Sequence, residues 1–109
     1  MNPRKTQIRS LVLDILSGRE NVQYSPTKKD RLKSGVAELL ARAAGKLQDT
    51  VNVFPQEEQL NSQDALLFAE VFQDLLTDKI ITPGMDEANP ELPYFRVHSD
   101  ADLSPQKSD

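Results

Sequence analysis

Apolar residues recur at helical spacing in three stretches of this chain and alternate at strand spacing near its end. Ile8, Leu11, Val12 and Ile15 stand at i, i+3, i+4 and i+7 with Leu16 beside them, the stripe of an amphipathic helix. Asn2 suits the cap, Pro3 the first helical position and Gly18 the stop, so the pattern predicts a helix over residues 3–17. Leu13 falls off that stripe and is expected at the surface, either as ordinary scatter or against a partner. Residues 19–24 leave room only for a brief extended segment through Val22 and Tyr24. Ser25-Pro26 repeats the cap-then-proline start and opens a second helix, striped by Leu32, Val36, Leu39, Leu40, Ala43 and Leu47. Gly45 marks its end. Gly35 weakens its middle by about 1 kcal/mol relative to Ala, which leaves a kink or a split into two helices open.

Residues 48–60 form a connection. Within it Val51, Val53 and Phe54 make a short strand or plug the core, and Pro55 stops either. Such a length implies a stretch that is partly structured or mobile. Asn61 or Ser62 then caps a third helix over residues 61–78, with Asp64 in its first turn, where the helix dipole favours negative charge. Ala65, Phe68, Ala69, Phe72, Leu75 and Leu76 form its stripe, and Leu67 and Val71 widen it past half the circumference. A helix this apolar belongs at the centre of the core. Its polar face is Gln63, Glu70, Gln73, Asp74 and Thr77. After it come Ile80-Ile81-Thr82, the turn Pro83-Gly84, and a loop to Pro93. Tyr94 to His98 alternate so that Phe95 and Val97 face inward and Tyr94, Arg96 and His98 outward.

At 109 residues, one domain is expected, with a modest core given 38% hydrophobic content. The domain is placed at residues 1–98 and an acidic, disordered tail at 99–109. The absence of Cys excludes disulfides and thiolate chemistry, and a single His excludes any site needing two imidazoles. No run approaches the roughly 18 apolar residues of a membrane span, and the start of the chain lacks an apolar signal core. The chain therefore reads as soluble and cytoplasmic. Its net charge of −4 conceals a split. Residues 1–50 hold ten Lys and Arg against five Asp and Glu, a balance of +5; residues 51–109 hold three against twelve, a balance of −9. A polyanion would meet the first half.

The order of a long apolar helix, Lys79-Ile80-Ile81, a Pro/Gly-rich loop and a returning Tyr94-Phe95-Arg96-Val97 resembles the end of a winged helix-turn-helix domain. The resemblance is one of pattern over residues 3–98. It implies a mainly α fold with a small β-hairpin (α+β), a winged-helix-like three-helix core plus wing. It also implies a short strand between the first two helices that joins the hairpin. In that class the last helix enters the DNA major groove and the wing touches backbone or minor groove. Carried onto this chain, the reading helix is residues 61–78 and the wing loop residues 83–93.

The residues depart from that pattern. Glu70 and Asp74 on the helix, and Asp86, Glu87 and Glu91 on the loop, oppose a phosphate backbone. Asn61, Ser62 and Gln63 at the helix start can reach base edges. Attraction would come from Arg4, Lys5 and Arg9 and from one flank of the second helix, Lys28, Arg31, Arg42 and Lys46. Lys29 and Lys33 lie on the other flank. The same basic side chains could simply border an apolar stripe with their heads in water. The expectation is a non-enzymatic nucleic-acid-binding protein, a DNA-binding regulator of transcription. The alternative is a protein-interaction module in which Glu70, Gln73, Asp74, Asp86 and Glu87 meet a basic partner. A homodimer would use Leu13, Leu67 and Val71. Catalysis has only His98 near Asp100 and Asp102. Asp86, Glu87, Asn89 and Glu91 lack the spacing and glycine of a calcium loop. No cofactor, metal or small-molecule substrate is expected.

Overall fold

The computed structural model describes residues 2–22, 25–45 and 60–104. Its elements are three helices followed by a two-stranded antiparallel hairpin, an α+β arrangement that is mainly helical. The first helix, α1 (Pro3–Ser17), has the predicted ends. The Asn2 side chain accepts from the amides of Arg4 and Lys5 at 3.0 and 3.2 Å, and Gly18 closes the helix at φ 84°, a conformation that glycine adopts without a steric cost.

The second helix, α2 (Lys29–Ala43), begins later than the Ser25-Pro26 signal predicts. The intervening backbone is committed elsewhere. The Thr27 carbonyl accepts from the Phe95 amide at 3.2 Å, the Lys29 amide donates to the Pro93 carbonyl at 2.8 Å, and Lys28 pairs antiparallel with Tyr94. This segment thus joins the hairpin through an isolated bridge at Lys28, and the short strand expected over residues 19–24 is not formed by the described residues 19–22. The helix then runs unbroken through Gly35, without a split into two. A Cβ at Gly35 would stand 3.1 Å from Ile15 Cδ1 and 3.3 Å from Val22 Cγ2, so the glycine permits close approach to α1 and the chain that follows it. Leu47, Val51, Val53, Phe54, Pro55 and Tyr24, to which the sequence assigned roles, lie outside the described residues.

The third helix, α3 (Ser62–Thr77), is capped by Asn61, whose side chain accepts from the Asp64 amide at 2.8 Å. Phe68, Val71, Phe72 and Leu75 are buried, whereas Ala69, expected on the stripe, is exposed. Strands β1 (Ile81–Pro83) and β2 (Phe95–Val97) pair as Ile81 with Val97, Thr82 with Arg96 and Pro83 with Phe95. Phe95 is buried and Arg96 exposed, the expected alternation. Gly84 turns the chain out of β1 at φ 89°.

One cluster joins all the elements: Ile8, Val12 and Leu13 from α1, Leu32 and Val36 from α2, Phe68, Val71, Phe72 and Leu75 from α3, Ile81 and Phe95 from the hairpin. Leu13 is fully buried, which corrects its expected surface position. A helix packed by two neighbours buries a wider arc than one stripe, and α1 packs against both α2 and α3. Val71 is likewise fully buried and Leu67 partly so, which removes Leu13 and Val71 from any exposed dimer face. Leu103 packs against the same core, so part of the expected tail reaches back to the domain.

Candidate functional site

Three cations near the chain start were expected to face a polyanion; each closes instead on a carboxylate of α3 or its C-cap. The Arg4 guanidinium donates from Nε and Nη2 to the two carboxylate oxygens of Asp64, both at 2.9 Å. Lys5 Nζ lies 3.0 Å from Asp74 and 3.7 Å from Glu70, and Arg9 lies 3.5 Å from Asp78. Asp64 is the one buried charged side chain among the described residues. The hydrogen bond from Arg4 holds its carboxyl below the usual range, against the upward push of burial, and Asn61 assists. The bond to Asp74 correspondingly raises Lys5. No sequence pattern signals these pairs, because the two helices are distant in sequence and meet only through the core.

The pairing has two consequences. It withdraws Arg4, Lys5 and Arg9 from ready use by a ligand, and it masks much of the acidity that set α3 against phosphate. What α3 still presents outward is Ser62, Gln63, Leu66, Ala69, Gln73 and Thr77, all exposed and uncharged. Asn61, expected to reach a base, has its side-chain oxygen engaged as the cap. Leu66, which the stripe did not assign, is 69% exposed.

The basic flank of α2 divides by position. Arg42 near its end donates to Glu38 and to the Asn21 carbonyl. Lys28 and Arg31 stand about 15–20 Å away at its start, given 1.5 Å per residue. There they line an open depression of about 480 Å³ together with Ser25, Thr27 and Tyr94. Lys28 Nζ sits 5.6 Å from the Tyr94 ring centroid, and Lys29 Nζ 5.1 Å from that of Phe72. The backbone pairing of residues 27–28 with residues 94–95 builds this corner, and Ser25, Thr27 and Tyr94 entered it without any sequence forecast beyond an outward Tyr94. Lys46 lies outside the described residues.

The chain matches no protein-family model, curated protein or solved structure. Its chemistry must be read from its own groups. On the loop between β1 and β2, Asp86 accepts from the amide and side-chain nitrogens of Asn89 at 2.9 and 3.2 Å, and Glu87 is exposed. His98 Nδ1 accepts from the Asp100 amide at 3.2 Å. Among the described residues no group of three His, Asp or Glu could hold a metal ion, and no helix is long and apolar enough to cross a membrane. The corner offers cations, hydroxyls and an aromatic ring: groups that bind an anion and pack against a flat surface.

Proposed function

We propose that this chain is a non-enzymatic winged-helix-type nucleic-acid-binding module, a DNA-binding regulator, whose phosphate grip lies at the start of α2 and the hairpin. The observation that carries the reading is the depression where Lys28 and Arg31 stand beside Tyr94, Ser25 and Thr27. Cations and hydroxyls of this kind neutralise and hydrogen-bond backbone phosphates without reading sequence. Support also comes from the order of elements, with Lys28 bridging to Tyr94 just ahead of β2, where a winged helix carries a third strand. The uncharged start of α3, Ser62 and Gln63, is compatible with approach to base edges. The test is fluorescence anisotropy of a labelled random-sequence duplex at about 50 and 200 mM salt, a range over which phosphate binding weakens steeply. Wild type binds and weakens with salt, and Lys28→Gln with Arg31→Gln lowers the salt slope by roughly 0.9 for each phosphate no longer neutralised. Absence of binding at the lower salt would sink the duplex grip.

A second reading has its own observation. Leu66 is 69% exposed on a cation-free face of α3, and a large apolar side chain in that position suits a protein partner. Since Glu70 and Asp74 are engaged by Lys5, such docking would centre on Leu66, Ala69 and Gln73, with Asp86 and Glu87 of the wing loop open to a basic partner.

A further inference from the structure

We infer that the depression at the α2–hairpin corner takes an unpaired nucleotide, with its base against Tyr94 and its phosphate between Lys28 and Arg31. This rests on the nucleic-acid reading above and narrows it from a backbone grip to a strand whose base is turned out. Three features carry it. The depression has room for a flat group, about 480 Å³ open to solvent. Tyr94 is half-buried, held by its bridge to Lys28 and by its carbonyl, which accepts from the Gly84 amide at 2.8 Å. Backbone fixed in this way gives the ring a defined place beside the depression, where it can serve as a stacking platform. Finally, Lys28 and Arg31 line the same depression as that ring, alongside the hydroxyl-bearing Ser25 and Thr27. An aromatic face beside cations is the combination that single strands use, since every base has a π-face and every linkage a charge. A duplex keeps its bases stacked on one another and offers this corner only phosphate.

The experiment compares a labelled oligo-dT strand of about 12 nucleotides with a duplex of the same length by anisotropy at low salt. The proteins are wild type, Tyr94→Leu, Tyr94→Phe and Arg31→Gln, each checked for its helical circular dichroism. Wild type is expected to bind the strand, Tyr94→Leu to bind it about tenfold more weakly, and Tyr94→Phe to recover wild-type affinity. Arg31→Gln, at an exposed position, is expected to weaken strand binding also. Strand binding that ignores Tyr94→Leu overturns the inference. Duplex binding without strand binding overturns it too, while the phosphate grip stands. Binding of neither overturns both. A strand bound with the Tyr94 dependence, and no duplex bound, supports the inference and removes the duplex reading.

Discussion

Cations meet two different fates in this molecule, and the contrast lies between the α1–α3 interface and the α2–hairpin corner. Both regions take their positive charge from the basic half of the chain, one from α1 and the other from the start of α2. At the first, Arg4, Lys5 and Arg9 close on Asp64, Glu70, Asp74 and Asp78. At the second, Lys28 and Lys29 lie over the rings of Tyr94 and Phe72. An ion pair satisfies a cation with an opposite charge and leaves little field outside it. A ring attracts the cation while leaving its charge uncancelled, so the field still extends into solvent. A charge count along the sequence treats the two regions alike. The element that faces each cation decides whether its charge is cancelled.

The most severe disruption of this comparison comes at Phe72, whose ring stands 6.1 Å from Phe68 and 5.5 Å edge-on from Phe95, with Lys29 above it. It ties α3 to the hairpin. Phe72→Ala should cost about 3–5 kcal/mol, from the missing ring packing and the cavity together, read from the midpoint of urea unfolding. A cost under about 1 kcal/mol would mean that the hairpin is not anchored through this ring. The next effect is expected at Gly84. Its φ is 89°, and a Cβ there would fall 2.6 Å from the Pro90 carbonyl oxygen, backbone that cannot easily yield. Gly84→Ala should destabilise by roughly 2 kcal/mol and loosen the hairpin loop beside Tyr94. If the corner organises strand binding, that variant also binds oligo-dT more weakly while α1 and α3 stay packed together.

Asp64 tests the other region. Asp64→Asn keeps the shape and removes the charge that Arg4 grips through two hydrogen bonds. The cost should be roughly 1–2 kcal/mol, held low because Arg4 is 42% exposed and recovers water. The pH dependence has a definite sign. Asp64 titrates below its ordinary value of 3.8 in the folded state, so the unfolded chain takes up its proton first as acid is added. Its contribution is complete above about pH 4 and disappears as pH falls through the lowered folded value. Wild type should therefore exceed Asp64→Asn by a constant margin near neutrality, and the margin should shrink below about pH 4. A margin that persists into strong acid would show that the carboxylate charge is not what holds the two helices.

The parts of this fold that were legible in sequence are those settled within a turn or two of chain. Asn2, Gly18 and Asn61 act on backbone groups two to four residues away, and the predicted ends of α1 and the cap of α3 are found there. The alternation around Phe95 is equally local. Ser25-Pro26 failed as a helix start because residues 27–29 hydrogen-bond to residues 93–95, partners that no local propensity contains. Leu13 failed because the stripe rule assumes one neighbour, and α1 has two. The candidate site was least legible of all. Lys28 was visible as a charge, but whether a cation meets Asp74, as Lys5 does, or Tyr94 depends on how the elements are packed, and spacing along one helix does not encode that.

The smallest expected effect separates the two regions most directly. Lys5→Gln removes a charge 3.0 Å from Asp74 and 3.7 Å from Glu70, leaving those carboxylates near each other without their cation. Lys28→Gln removes a charge that meets the Tyr94 ring at 5.6 Å. Raising salt from about 0.1 to about 1 M shortens the screening length from about 10 to about 3 Å. Screening weakens an exposed ion pair and acts little on ring packing that is partly dispersion and hydrophobic cover. Melting curves should thus show Lys5→Gln below wild type at low salt, with the gap narrowing as salt is added. Lys28→Gln should lie close to wild type at both salts. A salt-dependent gap for Lys28→Gln would mean that its ammonium, too, is held by a carboxylate. Lys28 would then carry no more usable charge than the cations of α1, and its part in the proposed grip would lose its physical basis.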